Sequence, residues 1–405
     1  MIKSLFKHIG PGPLIAAAFI GPGTVTLCVL AGVKFGYALL WAMLLSVVIT
    51  ICLQEMSARL GIVSQKGLSQ VLRAGLKQPV IKTLVLILSA IVIGNAAYEA
   101  GNISGGALGL ETIFGNSFLN IGTFKLNLLT LCVGLLAFLL LYLGNYKILE
   151  RLLIVLVILM SLAFLLSAII IQPSLSKIIN GFLPAFPKDS SLIIIGLIGT
   201  TVVPYNIFLH ASLAKTKWQK SSELIHAKKD TIIAVTLGGL ISICIMISAT
   251  VLPNADIKNA ADLAIALKPL FGDYAKYCIA VGLFAAGLTS AITAPLAASY
   301  VTCGCLGWST NLKSTRFRLV WMSIIGLGII ISSLGFKPIE VIKFAQIANG
   351  ILLPVIVGLL LWIMNKSSVL GAYKNSVLQN IIGGLILIIT IVLGTKAILQ
   401  VFQLI

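Results

Sequence analysis

Two short stretches of this sequence interrupt apolar runs with residues that bare the backbone. Residues 20–24 read IGPGT, inside LIAAAFIGPGTVTLCVLAGV. Residues 196–206 read GLIGTTVVPYN, inside LIIIGLIGTTVVPYNIFLHASLA. Glycine adds backbone freedom and proline removes a donor, so each stretch predicts a break in a helix. The breaks are expected at Gly21–Thr24 and at Thr200–Asn206. A broken helix leaves carbonyls free on one side of the gap and amides free on the other. Carbonyls coordinate cations, and the positive end of a helix attracts anions. The side chains flanking the breaks decide between them, and Thr24, Thr26, Thr200, Thr201, Tyr205 and Asn206 are all neutral. The chemistry on offer is reversible binding of a small solute or cation by hydroxyls, an amide and backbone groups.

A second group of residues could move protons or line a cavity. Glu99, in NAAYEAGNISGG, is an acid in the middle of an apolar run, where a charge is expensive and usually functional. A structural hydrogen bond to Asn95 or Asn102 is the alternative role. His210 lies beyond the second break and belongs to the one residue type that titrates near neutral pH, so Glu99 and His210 form a candidate proton pathway, with a satisfied packing residue the alternative role of His210. Gln346 and Asn349, beside Pro354 in FAQIANGILLP, and Thr289 are candidate cavity-lining residues, with a helix-to-helix hydrogen bond the alternative role of Gln346 and Asn349. Glu55 has Arg59 one helical turn away and is expected to pair with it. Cys303 and Cys305 form a C-x-C without a second pair or a nearby histidine, which is not zinc spacing and predicts structural thiols. No phosphate-binding loop, catalytic triad or zinc-hydrolase motif occurs, so no enzyme and no cofactor are expected.

The elements that must position these residues follow from composition. Of 405 residues, 59% are hydrophobic and 10% charged, and the mean hydropathy is +1.10. Too few polar side chains are present to coat a soluble domain, and apolar runs long enough to cross a ~30 Å hydrocarbon core recur throughout. Backbone in lipid must bond internally, which leaves an all-α polytopic membrane protein. Eleven spans fit at about 13–33, 38–62, 82–106, 126–146, 149–171, 190–213, 231–253, 276–304, 317–335, 339–364 and 378–402. The net charge of +18 suggests nucleic acid at first sight. Sorted by loop, the basic residues instead fall about two to one on the side of the N-terminus, as the positive-inside rule requires of a cytoplasmic N-terminus. The partners expected are therefore a lipid bilayer and a small solute or cation, with no nucleic acid, and no oligomeric state is implied. Lys3 and Lys7 resemble the start of a signal peptide, but IGPGT interrupts the apolar stretch and hydrophobicity resumes at once, so a first span is expected.

No linker or charge block divides the chain, and a single transmembrane unit over 1–405 is expected. The longest connections lie near 172–189 and 254–275, and the second has the spacing of a short amphipathic helix. Five spans separate the two breaks. Interrupted helices at corresponding positions of two halves point to a transporter site, and an odd number of spans per half inverts the second half. The expected organisation is a first repeat over 13–171, a second over 190–364 and an eleventh helix over 378–402.

Several stretches resemble the Nramp divalent-metal transporters: HIGPGPLIAAAFIGPGTVTLCVLAGVKFGYALLW, LQEMSARLGIVSQKGL, GNYKILERLL, GLIGTTVVPYNIFLHASLAKTK and GLFAAGLTSAITAPLA. The resemblance implies the LeuT-like inverted repeat of five plus five helices with an eleventh, helices 1 and 6 unwound at the midplane, and proton-coupled uptake of manganese or iron. It also exposes departures. Where the family has Asp-Pro-Gly-Asn, this chain has Gly21-Pro22-Gly23-Thr24, which removes the metal-binding carboxylate and replaces the amide. Where the family has Ala-x-x-Met-Pro-His, this chain has Thr200-x-x-Val203-Pro204-Tyr205, which removes the thioether and the imidazole. Asn206 and His210 match, a family glutamine aligns with Leu352, a family aspartate with Ala96, and Glu99 with a proton-carrying acid.

The resulting candidate substrate set is Gly21, Gly23, Thr24, Thr200, Val203, Tyr205 and Asn206, with no metal ligand assigned. Manganese and iron favour carboxylate, imidazole and sulfur, whereas a magnesium-like cation can keep its waters and bind neutral oxygens. Two transport readings follow: a hydrated divalent cation with altered selectivity, or a carboxylate-bearing solute such as an amino acid held by the amides of residues 22–24. A proton or monovalent cation is the expected coupling ion, and the plasma membrane the expected location. A non-transporting membrane sensor is the remaining class.

Overall fold

Helices lie over all eleven predicted spans. The structure, a computed structural model, describes residues 10–75, 81–115, 117–121, 124–144, 146–251, 272–334 and 338–401. Lys3 and Lys7, and most of the segment expected to form an amphipathic helix at 254–275, lie outside these residues. The first span is split into α1 (Gly12–Phe19) and α2 (Pro22–Phe35). Next come α3 (Leu40–Ser64), the short α4 (Leu68–Gly75) and α5 (Ile81–Phe114), the last reaching eight residues beyond its predicted end. A small antiparallel hairpin, β1 (Phe118–Ile121) with β2 (Phe124–Asn127), leads into α6 (Leu128–Leu143) and α7 (Tyr146–Ile170). A short α8 (Leu175–Gly181) precedes the sixth span, split into α9 (Ser191–Thr201) and α10 (Pro204–Lys217). The remaining spans are α11 (Leu224–Ala249), α12 (Ala275–Leu306), α13 (Thr315–Ser332), α14 (Pro338–Met364) and α15 (Val377–Val401). By length and hydropathy alone six of the described helices qualify as membrane-crossing, or eight when each bent pair counts as one span.

Burial sorts the helices into a centre and a rim. In α9–α10 and in α12, 89% of the most apolar window is buried, against 28% in α13 and 22% in α15. The outer helices turn leucine and isoleucine outward, among them Leu319, Ile330, Ile381 and Ile388, as lipid-facing helices do. The centre is closed by small residues. A Cβ on Gly287 of α12 would run into the backbone of Gly106 on α5, and one on Gly109 would meet Ala280 O and Phe284 N at 2.7 Å. Lipid tails are as apolar as leucine, so helices in a membrane associate through such close backbone approach.

Both breaks are narrower than expected, for one reason. Gly21 is extended (φ −94°, ψ −177°) and Pro22 already begins α2, while Val203 is extended (φ −74°, ψ 121°) and Pro204 begins α10. Proline pushes its predecessor out of the helical region, yet is well suited to the first helical position, where no donor is needed. Each proline thus restarts the helix immediately. The non-helical residues are Ile20–Gly21 and Val202–Val203, so Thr24 sits in the first turn of α2 and Thr200 in the last turn of α9. The first span bends by 55° at its break. The polypeptide between α7 and α9 docks on the start of α3, where Trp41 Nε1 donates to Ala185 O (2.9 Å) and stacks edge-on against Phe186.

Candidate functional site

The two breaks face each other and are tied together by neutral groups. Thr24 Oγ1 lies 2.7 Å from Thr200 Oγ1 and also donates to the carbonyl of Phe19, at the end of α1. Tyr205 Oη donates to Ala18 O (3.2 Å) and Asn206 Nδ2 to Ile15 O (3.3 Å). The carbonyls of Phe19 and Ala18, in the last turn of α1 where a broken helix leaves them without partners, are thus answered from α2 and α10, and Asn206 adds a bond to Ile15 one turn earlier. All four side chains are essentially inaccessible to solvent. Asn206 Oδ1 remains without a hydrogen-bond partner among the described residues.

Gly21 and Gly23 are buried at the start of α2, and Val203 is buried in the extended joint. Gly23 and Thr24 carry the amides that start this helix; Pro22 has none, so the amide set expected at residues 22–24 shrinks to two. The remaining candidates do not gather at the break. Thr289 returns its hydroxyl to Ala286 O (2.9 Å) of its own helix. Asn349 is buried, with Nδ2 unpartnered among the described residues, while the side chain of Gln346 lies outside them. His210 stands further along α10, with Nδ1 2.9 Å from Gln54 Oε1 of α3 and Nε2 unpartnered among the described residues.

Glu99 is fully buried on α5, with its stem against Gly328 of α13, where an added Cβ would meet Glu99 Cγ at 2.6 Å. Asn102 Nδ2 donates to Glu99 Oε2 (3.4 Å), the structural bond anticipated for it, and Oε1 has no partner among the described residues. Its neighbour Tyr98 packs edge-on against Tyr205, with ring centroids 5.2 Å apart, which connects the acid's helix to the break. The Glu55–Arg59 pair forms as expected (3.2 Å), and Arg59 further donates to Asn375 Oδ1 (2.8 Å), Tyr373 O (3.1 Å) and Gln379 Oε1 (3.2 Å).

Three features escaped the sequence reading. Ser290 of α12 faces Gly21: a Cβ there would lie 2.5 Å from Ser290 Oγ and 3.6 Å from Tyr98 Oη. Thr293, one turn on, flanks Tyr205 together with Tyr98. The hydroxyl-rich turn in GLTSAITAPLA is the signal that could have pointed to them. Asp230 of α11, third, accepts the backbone N–H of Gly10 at Oδ1 (2.9 Å) and that of Gly12 at Oδ2 (2.7 Å), capping α1. Among the described residues no group of three or more histidine, cysteine, aspartate or glutamate side chains is placed to hold a metal ion.

Comparison with known proteins places this arrangement. The model of the family described as natural resistance-associated macrophage protein-like matches residues 12–400. A divalent metal cation transporter MntH of Bradyrhizobium diazoefficiens is 29% identical over 412 residues, covering 97% of this chain and 89% of that protein. Its counterpart in Verminephrobacter eiseniae is 26% identical over 409 residues, covering 98% and 90%. A crystal structure of a mutant of the Eremococcus coleocola manganese transporter superposes with a TM-score of 0.80 at 22% identity, over 99% of this chain and 88% of that one. These relatives are transporters and not enzymes, and the fold is the LeuT-like one. The chain is therefore a multi-pass membrane protein and belongs to the Nramp family.

Proposed function

We propose that this protein is a secondary-active transporter of a divalent cation whose site is remodelled to take a magnesium-like ion that keeps part of its hydration shell. The relatives' names supply the substrate class, divalent metal cations. One observation carries the altered selectivity: position 21 is a glycine, and the groups around the breaks, Thr24, Thr200, Tyr205, Asn206 and Ser290, are all neutral oxygen or amide donors. A dication stripped of water at the midplane needs a compensating anion, since desolvation is worth several kcal/mol or more. A cation that retains water transfers less of that demand to the protein, and magnesium dehydrates reluctantly. Val203 in place of a thioether removes the soft ligand that favours transition metals. In this reading Glu99, one residue from the tyrosine that touches Tyr205, carries the coupling proton, and His210 continues the route. The basic loops favour a cytoplasmic N-terminus in the plasma membrane.

A carboxylate-bearing solute is the competing reading, favoured by the amides of Gly23 and Thr24 in the first turn of a helix that carries no acid there. Titration calorimetry of the purified protein with magnesium, manganese and an amino-acid panel separates the two. Expected is cation binding with magnesium and manganese within about tenfold of each other. Micromolar manganese with magnesium far weaker would refute the remodelled selectivity. Heat from an amino acid and none from either cation would establish the competing reading, and binding of neither class the sensor role.

A further inference from the structure

Most serine and threonine hydroxyls inside the described helices return to the backbone one turn back. On α12 alone, Thr289 donates to Ala286 O (2.9 Å), Thr293 to Thr289 O (3.1 Å) and Ser299 to Pro295 O (3.1 Å). The same habit holds at Ser46, Thr50, Ser212, Thr231, Ser242 and Ser248. This bond is the default for a hydroxyl in a helix with no better partner. Ser290, between two residues that follow the rule, breaks it, as Thr302 does nearer the end of α12, but of the two only Ser290 faces a break. Its Oγ is fully buried, has no hydrogen-bond partner among the described residues, and is turned toward Gly21. A buried hydroxyl left unmated costs about as much as a lost hydrogen bond, so the orientation is unfavourable unless something else binds there.

The place it is turned toward is the one a side chain at position 21 would occupy. A Cβ on residue 21 would sit 2.5 Å from Ser290 Oγ, closer than non-bonded atoms tolerate, and 3.3 Å from Ser290 Cβ, a tight contact. Glycine at 21 and an outward hydroxyl at 290 are therefore one arrangement: the first makes the room, the second enters it from the opposing helix. Thr24, three residues beyond Gly21, and Thr200, in the last turn of α9, stand hydroxyl to hydroxyl at the same break. We propose that Ser290 is a substrate ligand and selectivity determinant of this transporter, its Oγ supplying a hard neutral oxygen to a partly hydrated divalent cation bound at the break beside Gly21. The assignment rests on the cation reading above. An oxygen without charge holds such an ion through its dipole or through one of its waters, which gives weak binding that favours hard cations.

The test uses the full-length protein with Ser290→Ala and Ser290→Cys, and reads binding of magnesium and cadmium by calorimetry, with thermal stability in parallel. Loss of one such contact should weaken magnesium binding about tenfold in the alanine variant. The thiol variant is close to serine in volume and should raise the cadmium-to-magnesium affinity ratio at least tenfold, a change that a packing role does not produce. If the wild type binds magnesium and both folded variants keep its affinity and its metal ratio, Ser290 is not a ligand, while the cation reading stands. If the wild type binds no cation at all, that reading falls, and this assignment with it. A purely steric check accompanies these: Gly21→Ala should lower the melting temperature, and Ser290→Ala should recover part of the loss. No recovery would refute the claim that the two residues share one space.

Discussion

The eight residues of α1 are too few to hold a helix by themselves, so their position is set by what grips them at each end. At the far end the grip is Tyr205 and Asn206, on the carbonyls of Ala18 and Ile15. At the near end it is Asp230, whose two oxygens take the N–H groups of Gly10 and Gly12. Replacing Asp230 by asparagine leaves one acceptor and turns an NH2 group toward the other N–H. Loss of a capping acceptor costs about 0.5–2 kcal/mol, and loss of the negative charge at a helix N-terminus a further ~0.3–1 kcal/mol. A combined loss of about 2 kcal/mol multiplies the open population of α1 by roughly 30-fold. Hydrogen–deuterium exchange on peptides covering 12–20 reads this opening directly, since local opening free energy sets the rate. Expected is roughly 30-fold faster exchange for Asp230→Asn and more for Asp230→Ala, with peptides from α12 unchanged. Gly12→Ala should imitate the effect with the charge intact, because its Cβ would lie 2.7 Å from Asp230 Oδ2 and 2.9 Å from Ala234 Cβ. Unchanged exchange in Asp230→Ala would refute the claim that this carboxylate anchors the first half-helix.

Glu99→Gln keeps an acceptor for Asn102 but cannot carry a proton, so it should abolish substrate-driven proton uptake in proteoliposomes while leaving substrate affinity within a few-fold; retained proton uptake there and in His210→Ala would remove the proposed route. Gly287→Val drives a branched side chain into Gly106 and should destabilise by at least ~1–3 kcal/mol, seen as a lower melting temperature in detergent. Gly326→Ala, with open space around it, serves as the neutral control. Arg59→Lys loses the planar fork that reaches Asn375, Tyr373 and Gln379, and should cost about 1.5–3 kcal/mol. The reporter is faster proteolysis in the turn before α15, and an unchanged cleavage rate would mean that this buried arginine does not dock the last helix.

Much of the fold is legible in the chain itself because, in a bilayer, hydropathy and length nearly suffice. An apolar stretch of about 20 residues has one stable way to satisfy its backbone, so spans can be read without knowing their neighbours. The two breaks are legible for an equally local reason: Pro22 and Pro204 dictate the backbone of the residue before them and start the helix after them. Even the absence of an acid at position 21 needs only the motif around it. Which groups meet at the breaks is a different kind of fact. Ser290 and Gly21 are 269 positions apart, Asp230 and Gly10 are 220 apart, and nothing in the local pattern distinguishes Ser290 from the threonines beside it. The hydroxyl's departure from its own backbone, the carboxylate's hold on α1 and the pairing of Thr24 with Thr200 exist only once the helices are packed. Periodicity says which face of a helix is apolar; which atom on another helix stands opposite depends on crossing angles and depths that small residues such as Gly106 and Gly287 set in three dimensions.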